Sequence, residues 1–188
     1  MTWSKGALLL VIVAMASCTS NPVPKPKGYF RIDLPEKNYA RYEAPCDISF
    51  ELPAYAKMEI LPTNSTDSCW FNMALPRQNA KIHFTYLALH NNLDHYLEDS
   101  YGFAFSHEMK ANAINRTVYT NPERKVSGMI YDIKGDVASN IQFYATDSSS
   151  HFLRGALYFN VRPNQDSLAP VIDFVRDDVV QIMETLTW

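Results

Sequence analysis

Apolar and polar positions along this chain switch between two periods, and each switch marks an element. In residues 46–52, Ile48, Phe50 and Leu52 alternate with polar neighbours, as a half-buried strand requires, and Pro53 closes the run. Residues 69–75 and 80–89 read as a second and third strand, joined by a turn at Pro76, Arg77, Gln78 and Asn79. Asn92 is placed to cap a helix from Leu93, whose face carries Leu93, Tyr96, Leu97, Tyr101 and Ala104 at spacings of three and four. Either Gly102 ends or bends this helix, or it runs on through His107 to Ala111. Residues 126–134, 137–146 and 151–161 then read as a meander, with turns at 134–136 and 147–150. After the break at Pro163 and Asn164, Asp166 and Ser167 are placed as N-cap residues, and Pro170 falls in the first turn, where its missing N–H costs little. Leu168, Val171, Ile172, Val175, Val179, Ile182 and Leu186 give the clearest helical stripe in the chain. Runs of strands with two helices predict an α+β fold, an antiparallel sheet with the long C-terminal helix and the middle helix packed on one face.

The N-terminus follows a different pattern. Residues 1–6 are polar with one charge, Lys5, and residues 7–16 are an unbroken apolar run. A bilayer span needs ~20 residues, so this run has the length of a signal-peptide core rather than of a membrane helix. Met15, Ala16, Ser17 and Cys18 follow, similar to a bacterial lipobox with Met where Leu is usual. Small residues beside the cut suit the signal peptidase, and the thiol of Cys18 is then the site of lipidation. The alternative is an ordinary secretory signal with an incidental Cys. This reading divides the chain into a signal peptide (1–17), a lipidated Cys with a Pro-rich linker (18–28) and a single α+β domain (29–188). Pro22, Pro24 and Pro26 keep the linker extended. At ~3.1 Å per residue it holds the domain ~30 Å from the lipid.

Composition adds mainly exclusions. With 47% hydrophobic and 20% charged residues, the bulk of the chain has globular rather than disordered composition. A net charge of −3, with no basic cluster longer than two residues, points away from nucleic-acid partners. Three Cys are too few for a disulfide scaffold or a zinc module. Cys46 and Cys69 open two expected strands, and export favours a bridge between them. It would close a 24-residue loop, worth roughly 3.4 kcal/mol in the chain-entropy account. Two free buried thiols, or a catalytic Cys–His pair, are the alternatives. His83, His90, His95, His107 and His151 show no metal-ligand spacing, and there is no GxSxG motif or phosphate loop. No cofactor, metal or catalytic residue is read from the sequence. Asp177 and Asp178 read as part of a solvated helix face, and Asp132 and Asp136 form a second acidic pair. Residues 29–35 are either a first strand on the sheet edge or a partner-facing arm. Asp166, Ser167 and Leu168 also resemble the O-glycosylation site of exported Bacteroidetes proteins, although helix capping accounts for them equally well.

Several stretches together carry a family resemblance: residues 24–35 (PKPKGYFRIDLP), Cys69 to Asn72 (CWFN), residues 151–160 (HFLRGALYFN) and residues 166–174 (DSLAPVIDF), besides Cys18. They resemble the gliding motility lipoprotein GldD family of Bacteroidetes. The resemblance implies an exported lipoprotein, anchored to a membrane of the cell envelope and facing the periplasm. It also implies a requirement for gliding and for type IX protein secretion, with other proteins of that apparatus as partners. The family is not known for enzymes, so the resemblance implies a non-enzymatic component or assembly factor. The contrasting hypothesis is a lipid-anchored hydrolase or ligand-binding protein of the periplasm. A cleft where His and carboxylates converge favours the second, and a sheet face covered by the last helix favours the first. The order strand, helix, meander, helix is also similar to the PsbP/Mog1-like α+β fold.

Overall fold

A computed structural model describes residues 31–188 except 64 and 66; the expected signal peptide, the linker and residues 29–30 lie outside the described residues. Among the described residues, nine strands and two α-helices follow in the order β1 (Tyr39–Glu43), β2 (Ser49–Pro53), β3 (Lys57–Leu61), β4 (Ser68–Leu75), β5 (Ala80–Ala88), α1 (Leu93–Phe105), β6 (Ala111–Asn121), β7 (Val126–Gly135), β8 (Ile141–Thr146), β9 (His151–Phe159) and α2 (Gln165–Thr185). Seven strands form one sheet in the order β3-β4-β5-β9-β8-β7-β6, and β1 and β2 form a separate ribbon. Every strand pair is antiparallel. The fold is α+β, and residues 32–188 make one compact unit.

Strand alternation decides what each sheet face meets. On the inner face, Phe71, Phe84, Gly155, Phe143 and Ile130 stand side by side across five strands. All four apolar side chains are buried. Gly155 is required here, because a Cβ would lie 2.2 Å from the Phe143 ring. Phe50 of β2 covers the β4–β5 half of this face, 5.8 Å from Phe84 between ring centres. Val171, Val175, Val179 and Ile182 of α2 join the same core. The outer face carries the opposite parity. There α1 buries Ala104 against Tyr131, Ile133 and Val137, while Tyr96 lies against Phe152. The two helices therefore pack on opposite faces, not on one face as the sequence pattern suggested. Both faces of β7, β8 and β9 carry enough apolar side chains for a helix on each.

Buried strands match the sequence pattern, and outlying ones do not. β1, β3 and β6 were not expected. Each borders solvent on at least one side, so none shows clean apolar alternation. Residues 31–38 form no strand, so the described part of the expected first strand, 31–35, is irregular, and the first strand among the described residues is β1. The middle helix runs through Gly102 and stops at Phe105, and Ala111 opens β6 instead of extending the helix. β8 begins at Ile141 rather than at 137. The side-chain amide of Asn140 donates to the carbonyls of Ile133 and Gly135 and holds the preceding residues in a bend. Asn164, not Asp166 or Ser167, caps α2, its side chain accepting the Ser167 N–H at 3.2 Å. Pro170 accordingly sits inside the helix.

The β8–β9 turn is organised by Asp147. Its carboxylate accepts backbone N–H groups of Ser149, Ser150 and His151 at 3.0, 2.8 and 2.8 Å, and the Ser149 hydroxyl at 2.8 Å. Burial alone would raise its pKa, but these donors outweigh burial and hold it at about 2. The unfolded carboxyl, at about 3.9, takes up a proton first. Stability present at neutral pH is therefore lost as pH falls through this window. We expect Asp147→Asn to flatten the fall of the melting temperature between about pH 4 and pH 2. An unchanged slope in thermal unfolding would show that the turn contributes no pH dependence.

Candidate functional site

The stripe of α2 contains one polar residue at a core spacing. Asp178 follows Val171 by seven residues and Val175 by three, and precedes Ile182 by four, so it shares their helix face. It is completely buried. Its carboxylate accepts the Lys37 ammonium at 3.0 Å, the Tyr39 hydroxyl at 2.8 Å and the Tyr55 hydroxyl at 2.6 Å. Lys37 also donates to the Phe174 carbonyl at 2.5 Å and sits 4.2 Å above the Phe174 ring. Burial first, and then the hydrogen bond to Asp178, push both tyrosine hydroxyls well above their usual range. They remain donors at any physiological pH. Asp177 is exposed and lies 3.4 Å from Lys37. The solvated reading thus describes Asp177 but is wrong for Asp178, which fastens the N-terminal entry of the domain to its last helix. The a/e spacing with Val171, Val175 and Ile182 was the signal that could have revealed it.

The other acidic pair also serves the fold. Arg176 of α2 grips Asp132 of β7 with two hydrogen bonds, 2.8 and 3.1 Å. Asp136 accepts the first N–H of α2, from Gln165, at 2.8 Å. A pocket of about 280 Å³ opens beside Arg176 and is lined by Asn115, Asp132, Lys134 and Asp173 among others, with no histidine. A second, of about 480 Å³, is lined by His83, Lys81 and Tyr158 and contains no carboxylate. The histidines are dispersed. His83 meets the Asn72 amide oxygen at 2.7 Å, and burial, then Lys81, hold its pKa below the usual imidazole value. His151 meets the Tyr86 hydroxyl at 2.7 Å and stacks on Trp188. His90 and His95 make exposed pairs with Asp67 and Asp99. Burial also lowers the His107 pKa. Among the described residues, no three of His, Cys, Asp and Glu stand close enough to hold a metal ion.

Cys18 lies outside the described residues. Cys46 does not open a strand. It follows Pro45 in a short 3₁₀ turn (Pro45–Asp47) with φ at 70°, a left-handed conformation that Asp47 shares. This turn sits against β4, which brings the Cys46 and Cys69 sulfurs into contact with their Cα atoms 6.4 Å apart. That separation lies in the roughly 4.4–6.8 Å range of bridged cysteines. We propose that the exported protein carries this bridge. Non-reducing peptide mapping is expected to recover the two cysteines as one linked pair, and two free thiols would overturn the assignment.

Comparison with known proteins supplies what the geometry does not. The family model for gliding motility lipoprotein GldD matches residues 19–188. The chain belongs to the GldD family. The match takes in every strand and helix described above and begins one residue after Cys18. Membership in the GldD family makes this a gliding motility lipoprotein, with a membrane-anchored place in the cell envelope. Among the described residues no helix is long and apolar enough to cross a membrane. No curated protein matches the chain. Among solved structures it is similar to the solution structure of cyanobacterial PsbP (CyanoP) from Synechocystis sp. PCC 6803, at 11% identity and a TM-score of 0.44, over 84% of this chain and 98% of that one. The α+β assignment rests on the strands and helices themselves and not on that likeness.

Proposed function

We propose that this GldD-family chain is exported, cut before Cys18 and acylated there. The domain then faces the periplasm and serves gliding and type IX protein secretion by binding within an envelope assembly rather than by chemistry. The observation that carries the reading is the family match over nearly the whole mature chain. The use of the polar groups supports a binding role. Asp132 is spent on Arg176, Asp136 on the start of α2, and Asp178 on the N-terminal entry. Each of these carboxylates holds one element against another.

Two measurements test this. Intact-mass analysis of the mature protein should show an acylated Cys18 at its N-terminus, because several acyl chains give stable anchoring where one is marginal. An unmodified terminus would refute the anchor. Deletion of the protein should abolish spreading and secretion together. Single substitutions of His83, His90, His95, His107, His151, Asp132 and Asp136 should leave both intact wherever the variant folds. One such variant that folds, reaches the membrane and still loses both functions would turn the assignment toward an enzyme or a ligand-binding site.

A further inference from the structure

The two ends of the seven-stranded sheet are built differently. β3 ends one side with five residues, two of them charged, Lys57 and Glu59. Lys81 further ties down Glu59 at 2.7 Å. A short, charged edge strand resists pairing with other chains. β6 ends the other side with eleven residues, of which only Arg116 is charged, and none is Pro or Gly. Its irregularity is confined to the start, between Ala111 and Ala113. Ile114, Thr117, Val118, Tyr119 and Thr120 all favour extended backbone. β7 is its neighbour on one side. On the other side, among the described residues, no backbone hydrogen bond engages residues 112–121. Val118, 70% exposed, stands on the outer face beside Arg116. β6 therefore offers a long row of unpaired N–H and C=O groups without the usual guards.

We propose that the free edge of β6 takes up an extended segment of a partner protein as an eighth strand, with a carboxylate of that segment opposite Arg116. The proposal rests on the binding role above. Backbone groups at an open edge are complementary to one kind of ligand, another strand, and side chains at alternate positions supply the selectivity. A second copy of this chain fits poorly. The register that pairs all eleven residues about a two-fold axis sets Arg116 against Arg116 of the copy, and like charges directly opposite are destabilising. Arg116 has no ion-pair partner among the described residues, so an acidic side chain on the incoming strand gains a cross-strand pair. Val118 gains an apolar neighbour on the same face.

Hydrogen–deuterium exchange on the full lipidated chain in detergent tests this. The probe is a nine-residue peptide of alternating threonine and valine with glutamate at its centre, compared with the same peptide bearing central lysine. At about ten times its dissociation constant, the glutamate peptide should slow exchange of alternate amides in 112–120 about tenfold. It should leave β3 unchanged, and the lysine peptide should give little protection. Val118→Lys and Arg116→Glu, both on exposed positions, should keep the wild-type melting temperature and lose that protection. Equal slowing at β3 and β6, or none at β6, overturns the proposal. So does protection of β6 before peptide is added. If sedimentation then shows a dimer, the occupant is a second copy, and if it shows a monomer, the occupant is the chain's own N-terminal segment. These readouts do not involve motility, so this assignment can fail while the gliding assignment stands.

Discussion

Val175→Asp should lower the free energy of unfolding by about 4 kcal/mol or more. Val175 is completely buried in the core between α2 and the inner sheet face. Its neighbours in that cluster, Val171, Val179 and Ile182 on the helix and Ile130 and Phe143 on the sheet, are apolar. A carboxylate placed there loses its water and finds no partner, so it either stays charged at great cost or takes up a proton and remains poorly bonded. Domains of this kind are stable by only ~5–15 kcal/mol, so the loss consumes much of the margin. Urea unfolding of the purified domain measures it. A variant with the wild-type midpoint would mean that the stripe is not packed as described, and the α2 face of the fold would have to be redrawn.

Asp178→Asn should cost about 3 kcal/mol, by removing one partner from a buried charged cluster. The amide offers one acceptor oxygen to three donors, the Lys37 ammonium and the Tyr39 and Tyr55 hydroxyls, and its own N–H groups point donors at donors. The cost falls on one place. Lys37 ties the N-terminal entry to the last helix through Phe174 and Asp178, so limited proteolysis should begin near residues 31–38 in the variant and not in the wild type. Asp177→Asn is the control. That side chain is 69% exposed, and its removal should stay within about 0.5 kcal/mol. Equal effects of the two substitutions would show that burial at Asp178 does not matter.

Both predictions concern one helix, and the sequence treated its two positions differently. Val175 was legible because a helix in water needs a continuous apolar stripe, and period 3.6 places Val175 in it. Asp178 falls in the same stripe, but a charged residue beside Asp177 reads as solvated until its partners are known. Those partners, Lys37, Tyr39 and Tyr55, are more than 120 residues away along the chain. Charge compensation over that distance leaves no local trace. The same reasoning covers the cysteines. Their places at two expected strand starts and the export signal suggested a pair, yet only the left-handed turn at Cys46 and its position against β4 bring the sulfurs together.

The sequence by itself determined the α+β class, the strands that are buried on at least one face, the extent of α2 to within three residues, and family membership. These depend on local periodicity and on residue identities, which are present in the chain before it folds. The tertiary structure alone decided the rest: helices on opposite faces, β1, β3 and β6 as outlying strands, the buried setting of Asp178 and the unguarded edge of β6. Each of these depends on which surfaces neighbouring elements cover. A half-solvated strand needs no apolar alternation, and a buried carboxylate needs only the right donors, so neither leaves a pattern that can be read along the chain.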